Sequence, residues 1–449
     1  MFVPHTPEEI REMLQAIGVE KIEDLFADIP EKFRHPEHID LPPPMTEMEV
    51  AEELQHLAEA NDNVRDHLLC FLGAGAYYHY IPSVIDHILR RGELYTAYTP
   101  YQPEISQGTL HAIFEFQSMV AALTGMEVAN ASLYDGATAV AEAVNMAYHV
   151  FRGKRPKAVL SPFIHPQYLA TVRTYYGHSD REVVVPDLPV EASPEALIEF
   201  IDDRTSLVMV AYPDFFGRLY DLQAVADAAH AKGALFGVVA NPLALAIFKA
   251  PGEYDADIVV AEGQPLGIPL SFGGPYLGIF TTRKKLVHKM AGRLIGESVD
   301  SRGQRVYVMT LTAREQHIRR ARATSSICTN NALMALAATV YMALLGKEGL
   351  REVALLNYHK AHYAAQRLSQ IPGFEPAFPD VPFFNEFVLK TPASIRDIND
   401  FLLDHDILGG YDLSQDFPQL DRHMLLAVTE MISRDDIEFL AEVLEEWVA

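Results

Sequence analysis

The run YTAYTPYQPEISQG (Tyr95–Gly108) sets three phenols, Tyr95, Tyr98 and Tyr101, among amides and a carboxyl group. Pro100 and Pro103 keep the run out of helix and strand, so it reads as a stiff loop. Hydroxyls converging on such a loop suit the orientation of a small polar ligand, and equally suit a packed loop with buried rings and wet hydroxyls. NASLYDGATAVAEAV (Asn130–Val144) brings Asp135 and Gly136 to a helix entry, where free amides and the helix dipole could cradle a phosphate. An ordinary helix start capped by Asp135 gives the same pattern and is the commoner case. His165 stands between an apolar run ending at Leu160 and a helix opened by Pro166, where a doubly wound sheet presents its ligand crevice. A lone His is more often structural. The basic run Arg314 to Arg322 could recognise a carboxylate or an acidic partner, or be a solvated helix face. GxSxG elbow, GxxxxGK[ST] loop and Ser-His-Asp order are all missing from the sequence. Cys70 and Cys328 lie far apart, so neither a disulfide framework nor a metal is expected, and a reducing cytoplasm fits.

These groups need a large scaffold. At 449 residues the chain exceeds what one hydrophobic core supports, which implies a large domain with smaller additions. Thirty-six Lys+Arg against 61 Asp+Glu give a net charge of −25, which argues against nucleic acid and anionic membranes as partners. Its start, MFVPHTPEEIREML, lacks the basic and apolar runs of a signal peptide, and the apolar stretch Ala332–Leu345 is shorter than the ~20 residues of a membrane-spanning helix. Thr6 with Pro7 and Glu9, and Thr46 with Glu49, are two capping boxes, the second opening a helix with Val50, Leu54 and Leu57 on one face. Joined through Pro42–Pro44, they predict a helical arm over residues 1–65. Between 66 and 300, short apolar runs at Ala158–Leu160, Val183–Val185, Leu207–Ala211, Leu235–Val239 and Ile258–Ala261 alternate with helical stretches such as Pro194–Ile201, capped by Ser193, and Leu222–Ala231. That pattern predicts a mostly parallel sheet covered on both faces, with Pro275–Thr282 entering antiparallel after too short a loop for a crossover. Residues 301–449 predict a connecting helix and a small α+β domain, with strands at Glu386–Leu389 and Met424–Val428 and helices capped by Ser394 and Ser433.

Tyr95–Gly108 and REQHIRRARATSSICTNNAL (Arg314–Leu333) together resemble the P-protein, or glycine decarboxylase, family of the glycine cleavage system. More narrowly, they resemble the alpha chains of its two-subunit bacterial form. The resemblance implies an aspartate-aminotransferase-like, pyridoxal-phosphate fold type I enzyme. It also implies the reaction: glycine condenses with the cofactor and loses carbon dioxide, and its aminomethyl group passes to the lipoyl arm of H-protein. Such chemistry needs a Lys for the Schiff base and an acid for the pyridine nitrogen. Aligned on EGQPLGIPLSFGGPYLGIF and on Ala240-Asn241, those two places hold Gln264 and Val238, and no Lys occurs between Lys249 and Lys284. His165 falls at the family's cofactor-stacking His, so His165, Asp135 and Gly136 read as a vestigial cofactor pocket. The resemblance therefore implies a catalytically silent subunit that binds no cofactor covalently. Its partner would be a pyridoxal-phosphate-bearing beta subunit (subunit 2), in an alpha2beta2 assembly, whose glycine site it completes with Tyr95, Tyr98, Tyr101, Glu104, Ser106 and Gln107. Two alternatives stay open: a self-sufficient enzyme with a displaced Lys, and a purely structural or regulatory homologue.

Overall fold

A computed structural model describes residues 5–34, 40–64, 66–96 and 98–449. The chain divides into two compact units, Met1–Asp62 and Asn63–Ala449.

The first unit holds helices α1 (Pro7–Ile17) and α2 (Glu47–Glu59), and both capping boxes form as the sequence predicts. The Glu9 carboxylate accepts from the Thr6 amide at 2.6 Å, and that of Glu49 accepts from the Thr46 amide at 2.7 Å. Pro42–Pro44 lie in irregular backbone, while residues 35–39 of the predicted connection are outside the described residues. Among the described residues of this unit only Leu14 is buried, and Val50, Leu54 and Leu57 are exposed.

The second unit is built on seven strands: β1 (Val128–Ala129), β2 (Lys157–Leu160), β3 (Glu182–Val184), β4 (Thr205–Tyr212), β5 (Leu235–Ala240), β6 (Ile258–Glu262) and β7 (Gly278–Thr282). Their spatial order is β1-β7-β6-β5-β4-β2-β3. The four pairs from β3 to β6 are parallel, and β7 joins β6 antiparallel with Ile258 opposite Thr282, as expected from its short connection. The apolar runs are unbroken because both faces are covered. One face places Met209, Val239 and Val260 against Ala139, Val140 and Val144 of helix α4 (Gly136–Val150). On the other, Val210, Val238 and Val259 share a core with Phe116 and Val120 of α3 (Gln107–Thr124) and Val225 and Ala229 of α6 (Gln223–Ala231). Between β2 and β3 runs α5 (Pro166–Tyr176).

One local expectation changes. Pro194–Phe200 is a 3-10 helix rather than an α-helix to Ile201, and the Ser193 side chain makes no cap bond. Seven residues with Pro at the first position close only short i→i+3 turns here, which leaves no α-type N3 amide for the serine. The apolar helix after Arg322 belongs to α7 (Ala332–Leu368), two helical stretches joined across Gly346 (φ 60°, ψ −171°), a left-handed position that glycine tolerates. Ala335, Ala338 and Tyr341 of α7 are buried in the same core as α3.

The small lobe is an antiparallel sheet of β8 (Glu375–Pro376), β9 (Glu386–Lys390), β10 (Tyr411–Asp412) and β11 (His423–Ala427) in the order β8-β9-β11-β10. Helices α8 (Ile395–Leu403) and α9 (Arg434–Val448) cover it, capped by Ser394 and Ser433 as predicted. The segment Leu69–Cys70 pairs in parallel with Ile407–Leu408, so the stretch that leads into the large sheet first adds to the small lobe.

Candidate active-site pocket

Strand order turns at β2 and β4, and ligand crevices of open α/β sheets lie at the carboxyl ends of strands beside such a turn. A cavity of about 80 Å³ sits there, lined by His165 after β2, Asn241 after β5, Glu262 at the end of β6, Tyr168 of α5, and Tyr77 and Glu386 from the small-lobe side.

His165 caps α5: its Nδ1 accepts from the Gln167 amide at 3.1 Å and its Nε2–H donates to the Ala74 carbonyl at 2.8 Å. Those bonds fix the neutral tautomer, and burial pushes its pKa below the usual histidine value. Its ring stacks on Tyr168, with centroids 4.8 Å apart and planes 19° apart, and meets Phe215 edge-on at 4.9 Å. Gly75 (φ +103°) lies so close that a Cβ there would stand 2.7 Å from the imidazole, so only glycine fits.

Gln264 is 1% exposed, and its amide is fully used. Its Oε1 accepts from the Tyr77 amide at 2.9 Å, and its Nε2 donates to the carbonyls of Tyr77 at 2.9 Å and Ile268 at 2.8 Å. Glu262, two residues earlier, accepts from three backbone amides: Gly136 at 2.9 Å on one oxygen, and Leu277 at 2.9 Å and Gln264 at 3.1 Å on the other. Burial nevertheless pushes its carboxyl up to about 7. From the small lobe Glu386 accepts from the Ala74 amide and the Tyr77 hydroxyl, both at 2.7 Å, and burial pushes it up to about 7 as well. No lysine lines the cavity.

Asp135 caps α4, accepting from the Thr138 amide at 2.7 Å, so the ordinary reading of that helix start holds. Val238 is fully buried on the α3 side of the sheet, and the neighbouring residues Val239, Ala240 and Asn241 form the cavity wall.

The tyrosine loop lies outside this cavity. Tyr95, Tyr98 and Tyr101 are 61%, 78% and 48% exposed. The Tyr101 hydroxyl accepts from Arg293 at 3.0 Å, and its ring meets His317 edge-on at 6.0 Å. Arg293 is paired with Glu315 at 3.2 Å, both side chains buried. Thus the two sequence motifs, separated by two hundred positions in the chain, meet through Tyr101, Glu315 and His317. Gln107 is structural: Oε1 accepts from the Tyr307 amide at 2.9 Å and Nε2 donates to the Tyr307 carbonyl at 2.8 Å. Glu104 is exposed, and Ser106 precedes α3 without a side-chain cap bond. The basic run splits, since Arg314 donates to the carbonyls of Met290 and Gly292 while Arg319, Arg320 and Arg322 are exposed. Among the described residues no group of three or more His, Cys, Asp or Glu could hold a metal.

Sequence reasoning missed Glu262, Glu386, Tyr77 and Tyr168. The available signal was a single acid bounding each of two apolar strands, IVVAE and EFVLK.

Residues 1–444 match the family model for the glycine cleavage system P-protein. The chain belongs to this P-protein family. It is 50% identical over its full length to a protein of Thermomicrobium roseum named as a probable glycine dehydrogenase (decarboxylating) subunit 1, which it covers completely. A protein of the same name in Geobacillus kaustophilus is 50% identical, with 97% of each chain covered. Among solved structures, glycine decarboxylase (P-protein) of the glycine cleavage system in inhibitor-bound form superposes with TM-score 0.90 at 43% identity, covering 99% of both chains. A sphingosine-1-phosphate lyase of Burkholderia pseudomallei shares the fold, with TM-score 0.67 at 16% identity and 94% of each chain covered. The P-protein architecture here is therefore that of aspartate-aminotransferase-like, pyridoxal-phosphate fold type I enzymes, as the sequence resemblance implied.

Proposed function

We propose that this chain is the non-catalytic alpha subunit of glycine decarboxylase. It completes the active site of a sister subunit that carries pyridoxal phosphate, decarboxylates glycine and passes the aminomethyl group to lipoyl H-protein. The observation that carries the reading is Gln264, which stands where the resemblance puts the Schiff-base lysine and whose amide is buried and bonded at three points. An amide forms no aldimine, and Val238 offers no proton partner for a pyridine nitrogen. Pyridoxal phosphate held as in a catalytic member therefore does not fit the residues present. The name "subunit 1" borne by relatives at 50% identity supports a second subunit. The loop that bears the exposed Tyr95, Tyr98 and Glu104 together with Ser106, anchored at Tyr101 and Gln107, supports a contribution to a site outside this chain.

The assembly we favour is alpha2beta2 in the cytoplasm. The first unit, with two amphipathic helices and Leu14 as its one buried apolar residue among those described, suits a role in holding the partner. Co-expression with the sister subunit, followed by a glycine decarboxylation assay, tests the reading. Activity is expected only when both chains are present. Turnover by the purified chain alone would overturn it, and removal of residues 1–60 is expected to release the partner on size exclusion.

A further inference from the structure

The cavity is built around an anion-binding device whose anion position is taken by a side chain of the chain itself. Helix α4 is 15 residues long and opens with Gly136, whose amide points at the end of β6. A helix start of this kind attracts a phosphate or a carboxylate through unpaired amides and the helix dipole. Here the amide of Gly136 already holds Glu262, and the amide of Thr138 holds Asp135. Glu262 also gathers the amides of Leu277 and Gln264, so one carboxylate draws together three backbone segments. Space confirms the electrostatics: a Cβ on Gly136 would stand 2.8 Å from the Tyr168 hydroxyl and 3.1 Å from the Glu262 Cβ. The imidazole face of His165 is covered by Tyr168, and Gln264 is tied to Tyr77, whose hydroxyl is held by Glu386 of the small lobe.

We propose that the cofactor pocket of this chain is closed from within: Glu262 stands in for a cofactor phosphate at the start of α4, Tyr168 covers the His165 ring, and Gln264 takes the wall on which a Schiff base would form. A phosphate entering the cavity would meet the Glu262 oxygens where the amides of Gly136, Leu277 and Gln264 are already taken. The pocket thereby rejects phosphate-bearing ligands as a class. This holds whichever subunit turns over glycine, so its failure is separable from that of the proposed function.

The test is phosphate binding by the full chain, read by calorimetry with inorganic phosphate and then with pyridoxal phosphate. Wild type is expected to show no saturable binding at millimolar phosphate. Glu262→Ala, which frees the three amides, is expected to bind inorganic phosphate at least tenfold more tightly. Glu262→Gln keeps the volume but turns one accepting oxygen into an NH2 group that faces a backbone N–H, and should fall between the two. Equal binding by wild type and Glu262→Ala would overturn the proposal, as would a folded Glu262→Ala chain that gains nothing. Hydrogen exchange on the wild type needs no variant: the peptide containing Gly136 should exchange at one rate with and without phosphate, and slowing by phosphate would contradict the proposal.

Discussion

The cavity at the end of β6 and the tyrosine loop before α3 are both rich in polar groups, yet they use them in opposite ways. In the cavity Gln264, Glu262 and Glu386 are buried, and the bonds they make are to this chain's own backbone and to Tyr77. On the loop, Tyr95 and Tyr98 hold their rings in solvent, and only Tyr101 is tied down, by Arg293. Buried polar groups must be satisfied internally or they destabilise the fold, whereas exposed groups on a proline-stiffened loop can be offered to another molecule at little ordering cost. The contrast separates polar groups spent on the fold from polar groups left in solvent.

The comparison breaks if the cavity residues tolerate substitution. Gln264→Leu leaves the amide and carbonyl of Tyr77 and the carbonyl of Ile268 without partners, and is expected to cost roughly 3–5 kcal/mol of stability in urea unfolding. A loss within about 0.5 kcal/mol, the usual range for surface changes, would place Gln264 outside the stabilising network.

A pH series sharpens the same point. Glu262 and Glu386 have folded-state values of about 7, above the ordinary 4.5, so the folded state binds their protons more tightly than the unfolded state does. Their stabilising contribution is complete below about pH 4.5 and is lost as pH rises through about 7. A displacement of that size corresponds to about 3 kcal/mol for each group. Relative to Glu386→Gln, wild type should therefore lose on the order of 3 kcal/mol between pH 5 and 8. A difference independent of pH would show that Glu386 is ionised throughout.

The loop should behave inversely. Tyr95→Phe and Tyr98→Phe are expected to leave unfolding of the chain unchanged, with at least one lowering glycine decarboxylation by the assembled complex roughly tenfold, or about 1.4 kcal/mol. Unchanged kinetics in both would return these tyrosines to surface packing, and a dissociated complex would make them interface residues. Smallest of all, Tyr101→Phe removes the acceptor of Arg293 and should cost about 1 kcal/mol of stability, marking Tyr101 as the anchor rather than the offered group.

Much of this was legible in the sequence. The strands of the large sheet stood out because burial on both faces writes them as unbroken Val, Leu and Ile runs, and the short link before Pro275 dictated the antiparallel β7. The caps at Thr6, Thr46, Asp135, Ser394 and Ser433 were readable because capping is local. Ser193 failed because the following turn is too tight for an α-type cap. The network around Gln264 could not be read at all. Tyr77, Glu262 and Glu386 come from three distant segments, and nothing local in IVVAE or EFVLK reveals that each acid will be folded against backbone amides. In the same way, the clamp that Gln107 makes on the Tyr307 backbone is visible only once the hairpin Ile295–Met309 lies beside α3.

The most direct measurement is borohydride reduction of the co-expressed complex, followed by peptide mapping of both chains. A silent, internally closed subunit predicts a reduced phosphopyridoxyl group on a lysine of the partner and on no lysine of this chain. An adduct on any lysine of this chain, formed with glycine turnover, would contradict it.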